Sequence, residues 1–189
     1  MWEKHFCLAA LFAAVMTTVY SRCTPGCSLN NLDIQNFFNT TEPVWVFNST
    51  AIEKQGCKVD ILSQIAAKNI YFKRLYIKHN RTVRQDLTGV IHAHQFDRIY
   101  INDGGRNCQQ EQLMYMSHDR KCAVVKVVTM WNSYTYYELR VRNSSVSIHL
   151  DYDCTQKFHS YHQPEQQIYV RDCQRILQPG CQTSSCYFG

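Results

Sequence analysis

CAVVKVVTMWNSYTYYELRVRNSSVSIHLDYDC, residues 122–154, is crowded with valine and tyrosine on both sides of a break at Asn132-Ser133. β-Branched and aromatic side chains fit a pleated surface and Asn-Ser suits a turn. The stretch therefore predicts two strands, 122–130 and 134–143, joined as a hairpin. A period of two puts Tyr134, Tyr136, Glu138 and Arg140 on one face of the second strand, with Thr135, Tyr137, Leu139 and Val141 on the other. Two arrangements satisfy that pattern. Either the charged and aromatic face is solvated and carries a surface ion pair, or it lines a cavity in which Glu138 and Arg140 answer each other or a ligand, since buried ions must be paired.

The same stretch resembles the signature of the tick salivary lipocalins, the histamine-binding family: Cys, Asp, an aliphatic residue, a spacer, Glu-Leu-aromatic, a second spacer, Cys. Here it stands as Cys122-Ala123-Val124, a spacer, Glu138-Leu139-Arg140, a second spacer and Cys154. Ala123 replaces the Asp and Arg140 replaces the aromatic residue, a departure from the amine-binding form. Cys57-Lys58-Val59 at an early strand and Cys154-Thr155-Gln156-Lys157-Phe158 at a late helix leading to Cys173 extend the resemblance over nearly the whole chain after its leader. The resemblance implies an all-β fold with short helices: an eight-stranded antiparallel lipocalin-type β-barrel with an N-terminal helix and a C-terminal helix packed on the outside. It also implies disulfides joining Cys57 to Cys173 and Cys122 to Cys154. Cys27, Cys108, Cys181 and Cys186 are left for two more bridges in any of three connectivities.

The first residues, 1–21, read as a signal peptide: an apolar run follows Lys4-His5, too short to span a bilayer, and Val19-Tyr20-Ser21 offers small residues for cleavage. Residues 22–189 then form a single lipocalin domain. Cleavage after Ser21 leaves nine cysteines with Cys23 unpaired, and cleavage after Cys23 leaves eight. The product is expected to be secreted, with no membrane anchor, so its cysteines read as a disulfide framework rather than a metal site. The tripeptides at Asn39, Asn48, Asn80 and Asn143 are glycosylation acceptors that agree with secretion and place those stretches at the surface.

Residues 32–38 predict a short helix with Ile34, Phe37 and Phe38 on one face, suited to plug one end of a barrel. Strands are predicted over 44–49, 57–65, 70–78, 82–93, 96–102 and 112–117, which with the hairpin make eight, and Asp103-Gly104-Gly105 is a strong turn. A helix over 155–162, ended by Pro164, and an extended piece over 167–171 complete the reading.

An eight-stranded barrel is wide enough to hold one small ligand. If the hairpin's inward face is the one the resemblance implies, Ala123, Val125 and Val127 line the cavity beside Tyr136, Glu138 and Arg140. Trp45 and Phe47 share one parity of the first strand, and they and Tyr71 read as ligand wall or as plain core. Asp86 is the candidate acid of the middle strands, with Glu53 and Glu111 poorer matches. A cationic amine would bind Glu138 in competition with Arg140, whereas a carboxylate could use Arg140 as a bidentate anchor.

The net charge of +5 is not a nucleic-acid signal, because Lys73, Arg74, Lys78, Arg81 and Arg84 lie on separate strand and turn positions and read as a solvated face. His92-Ala93-His94 puts two imidazoles on one side of a strand but lacks a third ligand, so no metal site is expected. No serine or cysteine stands in a nucleophile context, and neither an enzyme nor a cofactor is indicated. The function implied is sequestration of a small host mediator, an amine such as histamine or serotonin or a lipid, to evade host defence. The alternative is an inhibitor on the same scaffold that binds a host plasma protein of complement, clotting or platelet activation.

Overall fold

The computed structural model describes residues 32–102, 108–147 and 150–182. A short helix α1 (Ile34–Phe38) precedes β1 (Val44–Ser49), β2 (Gly56–Ala66), β3 (Asn69–Lys78), β4 (Arg81–Val90), β5 (Arg98–Asn102), β6 (Cys108–Met116), β7 (Cys122–Thr129) and β8 (Tyr134–Arg142). Helix α2 (Tyr152–His159) and a two-residue strand β9 (Gln166–Gln167) follow, then a 3-10 helix over Arg171–Leu177. Consecutive strands from β2 to β8 pair antiparallel and β1 pairs with both β8 and β2, closing an eight-stranded barrel to which β9 adds at the edge of β1.

The alternating side chains of the strands sort into one inner core and two outer ones. Inside, α1 plugs one end: its Ile34, Phe37 and Phe38 are buried against Phe72, Ile99 and Leu113. The Asp33 carboxylate caps the helix by accepting from the Gln35 and Asn36 amides. Outside, α2 lays Cys154 and Phe158 over Val124, Leu139 and Val141, the outward residues of the hairpin. The C-terminal segment covers a second outer patch, where Tyr169, Cys173 and Ile176 pack on Trp45, Val59 and Leu75.

Disulfides Cys57–Cys173 and Cys122–Cys154 tie these two covers to the barrel, as the resemblance implies. Cys108 and Cys181 are disulfide-bonded as well. Cys27 and Cys186, the leader, Cys23 and the Asp103-Gly104-Gly105 turn fall outside the described residues.

Several boundaries differ from the sequence reading for local reasons. α2 starts at Tyr152 rather than 155, because the Asp151 carboxylate accepts from the Cys154 amide and sets the helix start. β4 stops at Val90, so His92 and His94 lie in the following loop and not on one strand face; His92 packs edge-on against Tyr100 while His94 is exposed with φ 64°. β6 begins at Cys108, before the predicted 112. Only Gln166 and Gln167 of the final stretch pair as strand, since the chain coils into the 3-10 helix at Arg171.

Candidate functional site

Six charged side chains meet inside the barrel, each at most 4% exposed: Lys58 and Asp60 of β2, Arg74 of β3, Glu111 of β6, and Glu138 and Arg140 of β8. They face inward because each stands on the inner parity of its strand, and β2–β3 register sets Asp60 directly opposite Arg74. Arg74 donates through Nε to Asp60 Oδ1 at 2.7 Å and through Nη2 to Asp60 Oδ2 and Glu111 Oε1, both at 2.8 Å. Arg140 donates through Nε and Nη2 to Glu138 Oε2 at 2.9 and 2.6 Å, and through Nη1 to Glu111 Oε2 at 2.7 Å. Lys58 Nζ closes the cluster on Glu138 Oε1 at 2.7 Å, and Gln109 donates to Glu111 Oε1. Three cations thus balance three carboxylates, the condition under which buried charge is tolerated.

The electrostatics follow from that pairing. Burial alone would raise the Glu111 and Glu138 carboxyls, but Arg140 and Arg74 hold Glu111 well below the usual range, and Lys58 and Arg140 hold Glu138 below it. Burial, helped by the like charges of Arg74 and Arg140, lowers the Lys58 ammonium against the pull of Glu138. Tyr136 is raised well above an ordinary phenol by burial and by the nearby Glu138 and Glu111 charges, so its hydroxyl keeps its proton.

The interior is layered along the barrel axis. Phe38 of the plug packs on Phe72 at 5.4 Å between centroids, the Arg74 guanidinium lies 5.3 Å from the Phe72 ring centre, and the ion cluster follows. Beyond Lys58 and Glu138 opens a cavity of about 330 Å³ toward the other end of the barrel. Its walls are Val46, Ser49, Ala51, Tyr134 and Tyr136, and Ile52 and Trp131, 86% and 59% exposed, stand on its rim.

Among the residues singled out from sequence, Tyr136 and Glu138 line this cavity and Arg140 lies beneath it. Arg140 is therefore no open anchor for a ligand carboxylate: Glu138 and Glu111 engage its Nε, Nη1 and Nη2, and it does not line the cavity. Trp45 and Phe47 are not cavity wall, because β1 turns its Val44 and Val46 inward and sets the two aromatics outward against Tyr169. Tyr71 is on the outer, exposed face of β3, whose Ile70, Phe72 and Arg74 point inward. Asp86 is exposed on β4 and meets Arg84 at 3.4 Å. Glu53 sits at the rim, bonded to Lys78 at 2.6 Å. Arg74, read as part of a solvated face, is instead buried in the ion cluster.

Lys58, Asp60 and Glu111 were the residues that sequence reasoning passed over or ranked low. For the first two a signal was present: Lys58-Val59-Asp60 repeats the spacing of two between opposite charges in an apolar strand that marks Glu138 and Arg140. Among the described residues no group of three or more His, Cys, Asp or Glu side chains is placed to hold a metal. Nor is any described helix long and apolar enough to cross a membrane.

A closed eight-stranded antiparallel barrel plugged at one end, with a helix outside and a cavity at the other end, is the lipocalin fold. A solved structure of similar fold agrees. Japanin from Rhipicephalus appendiculatus, bound to cholesterol, superposes with a TM-score of 0.52 over 71% of this chain and 96% of its own at 9% identity. A bovine odorant-binding protein, a deswapped triple mutant, gives 0.46 over 63% of this chain and 81% of its own at 13% identity. No protein-family model and no curated protein matches the sequence.

Proposed function

We propose that this chain is a secreted lipocalin that sequesters one small mediator of a host in the open-end cavity. The observation that carries the reading is that cavity: about 330 Å³, walled by Val46, Ala51, Tyr134 and Tyr136, and floored by the Lys58–Glu138 pair. Apolar wall beside polar and charged groups that can fix a ligand's orientation is what a small-ligand site offers. Of the two mediator classes, a lipid suits the chamber better than an amine. Lys58 and Arg140 already hold the Glu138 carboxylate, and an entering cation would have to displace one of them. Cholesterol bound in the similarly folded Japanin supports a lipid occupant. The resemblance to tick salivary lipocalins and the disulfide framework support secretion and the mediator role.

Native mass spectrometry of the purified protein with histamine, serotonin and a fatty-acid mediator tests the proposal, with Trp131 fluorescence as a second readout. A one-to-one adduct with a member of the panel that quenches Trp131 is expected. Retention of none of them would overturn it.

A second reading, an inhibitor that meets a host protein with its loops, draws on the exposure of Ile52 and Trp131 at the rim. Inhibition of complement, clotting or platelet activation that survives blocking of the cavity by Ser49→Trp would favour it.

A further inference from the structure

We infer that the chamber selects its ligand by head-group charge, taking an acidic amphiphile whose carboxylate bonds to Lys58 and turning away cationic amines. This rests on the reading of the open-end cavity as the ligand chamber and adds the chemical class of its occupant.

The asymmetry lies in which groups are spent. On the acceptor side, Asp60 takes two bonds from Arg74, and Glu111 takes Arg74, Arg140 and Gln109. Glu138 takes Lys58 on one oxygen and two Arg140 bonds on the other. Of these carboxylates Glu138 lines the cavity, and Lys58 and Arg140 occupy, as part of the chain, the places an amine would need on it. They are fixed by the backbone, so no ligand exchange can remove them.

On the donor side the cavity keeps capacity. An ammonium has three N–H groups, and Lys58 lends one to Glu138. Tyr134 accepts the Ile52 amide on its hydroxyl oxygen, which leaves its own O–H to donate, and Tyr136 brings a second phenol to the same wall. The Lys58 stem emerges beside apolar Val46 and Ile168, so a carboxylate at Nζ would place an alkyl tail along the wall toward Ile52 and Trp131. A head that accepts several hydrogen bonds and carries negative charge completes this site. A head that only donates finds the carboxylates of the lining engaged, Glu138 by Lys58 and Arg140 and Glu53 by Lys78.

Three probes of equal chain length separate the terms: decanoate, decanol and decylamine, titrated into the disulfide-intact protein by calorimetry and Trp131 quenching. The expected order is decanoate, then decanol, with decylamine weakest, and a preference for decanoate over decanol of about 10- to 150-fold, the equivalent of one charge-assisted hydrogen bond. Lys58→Met should abolish that preference, and Lys58→Arg should retain it. Should Lys58→Met fail to fold, the pair Lys58→Met with Glu138→Gln removes one charge of each sign and gives the same readout in a neutral interior.

Decylamine binding as tightly as decanoate, or a decanoate preference that survives loss of Lys58, would overturn the charge selection while the ligand chamber stands. Failure of all three probes to bind would overturn the chamber reading itself.

Discussion

Each charged residue of the interior is supported by its opposites, so the consequence of a substitution depends on what it leaves behind. Arg140→Met removes donors to both Glu138 and Glu111 and strands two carboxylates in an apolar shell. It should lower the unfolding free energy by about 3–5 kcal/mol in denaturant titration, whereas swapping whole ion groups for apolar ones costs far less. Trp45 offers the contrast. Its Nε1 donates to Asn143 Oδ1 at 2.8 Å on the outside of the barrel, so Trp45→Phe should lose about 0.5–1.5 kcal/mol for the hydrogen bond. Ligand affinity should be unchanged in the same variant, because Trp45 is screened from the cavity by its own strand. From sequence, β8 was readable because polar and apolar residues alternate there. β1, Val-Trp-Val-Phe, is apolar on both faces, and period two cannot say which parity points in when the outer face is also covered. Arg74 was misread for a different reason: its partners stand on β2 and β6, beyond the reach of any local pattern.

The elements outside the barrel are held by their disulfides in unequal degree. Cys57–Cys173 closes a separation of 116 residues and Cys122–Cys154 one of 32. Chain entropy alone makes the longer closure worth about 1 kcal/mol more, within a range of about 2–5 kcal/mol for either. Double-serine variants of each pair, compared by thermal and denaturant unfolding, should therefore rank with the Cys57/Cys173 variant the less stable. The hairpin and the strand order could be read from the sequence, since both follow from alternation and turns. The start of α2 could not be placed from its apolar spacing. What sets it is the Asp151 carboxylate on the Cys154 amide, a cap signal obscured by a second aspartate at 153.

At the scale of the molecule, the ion cluster sets an acid limit. The folded-state carboxyls of Glu111 and Glu138 lie below their ordinary range, so the unfolded chain binds more protons as the solution is acidified. Their contribution is complete above an ordinary glutamate value of about 4.3 and is lost as pH falls through the folded values. Melting temperature should fall steeply below about pH 4. Added salt at neutral pH should change it little, because buried pairs are poorly screened.

The barrel's closure was legible as a strand count, but the shortness of its closing seam was not. β1 and β2 pair only at Val44–Asp60 and Trp45–Val59 before they part. Ile168 fills the gap, donating its N–H to Phe47 and accepting from the Cys57 amide with its carbonyl. The direct β1–β2 pairs leave this seam half closed, and residue 168 completes it from beyond the eight barrel strands. The wall of the container thus borrows its last stitch from a segment that contributes no strand of the eight-stranded barrel itself.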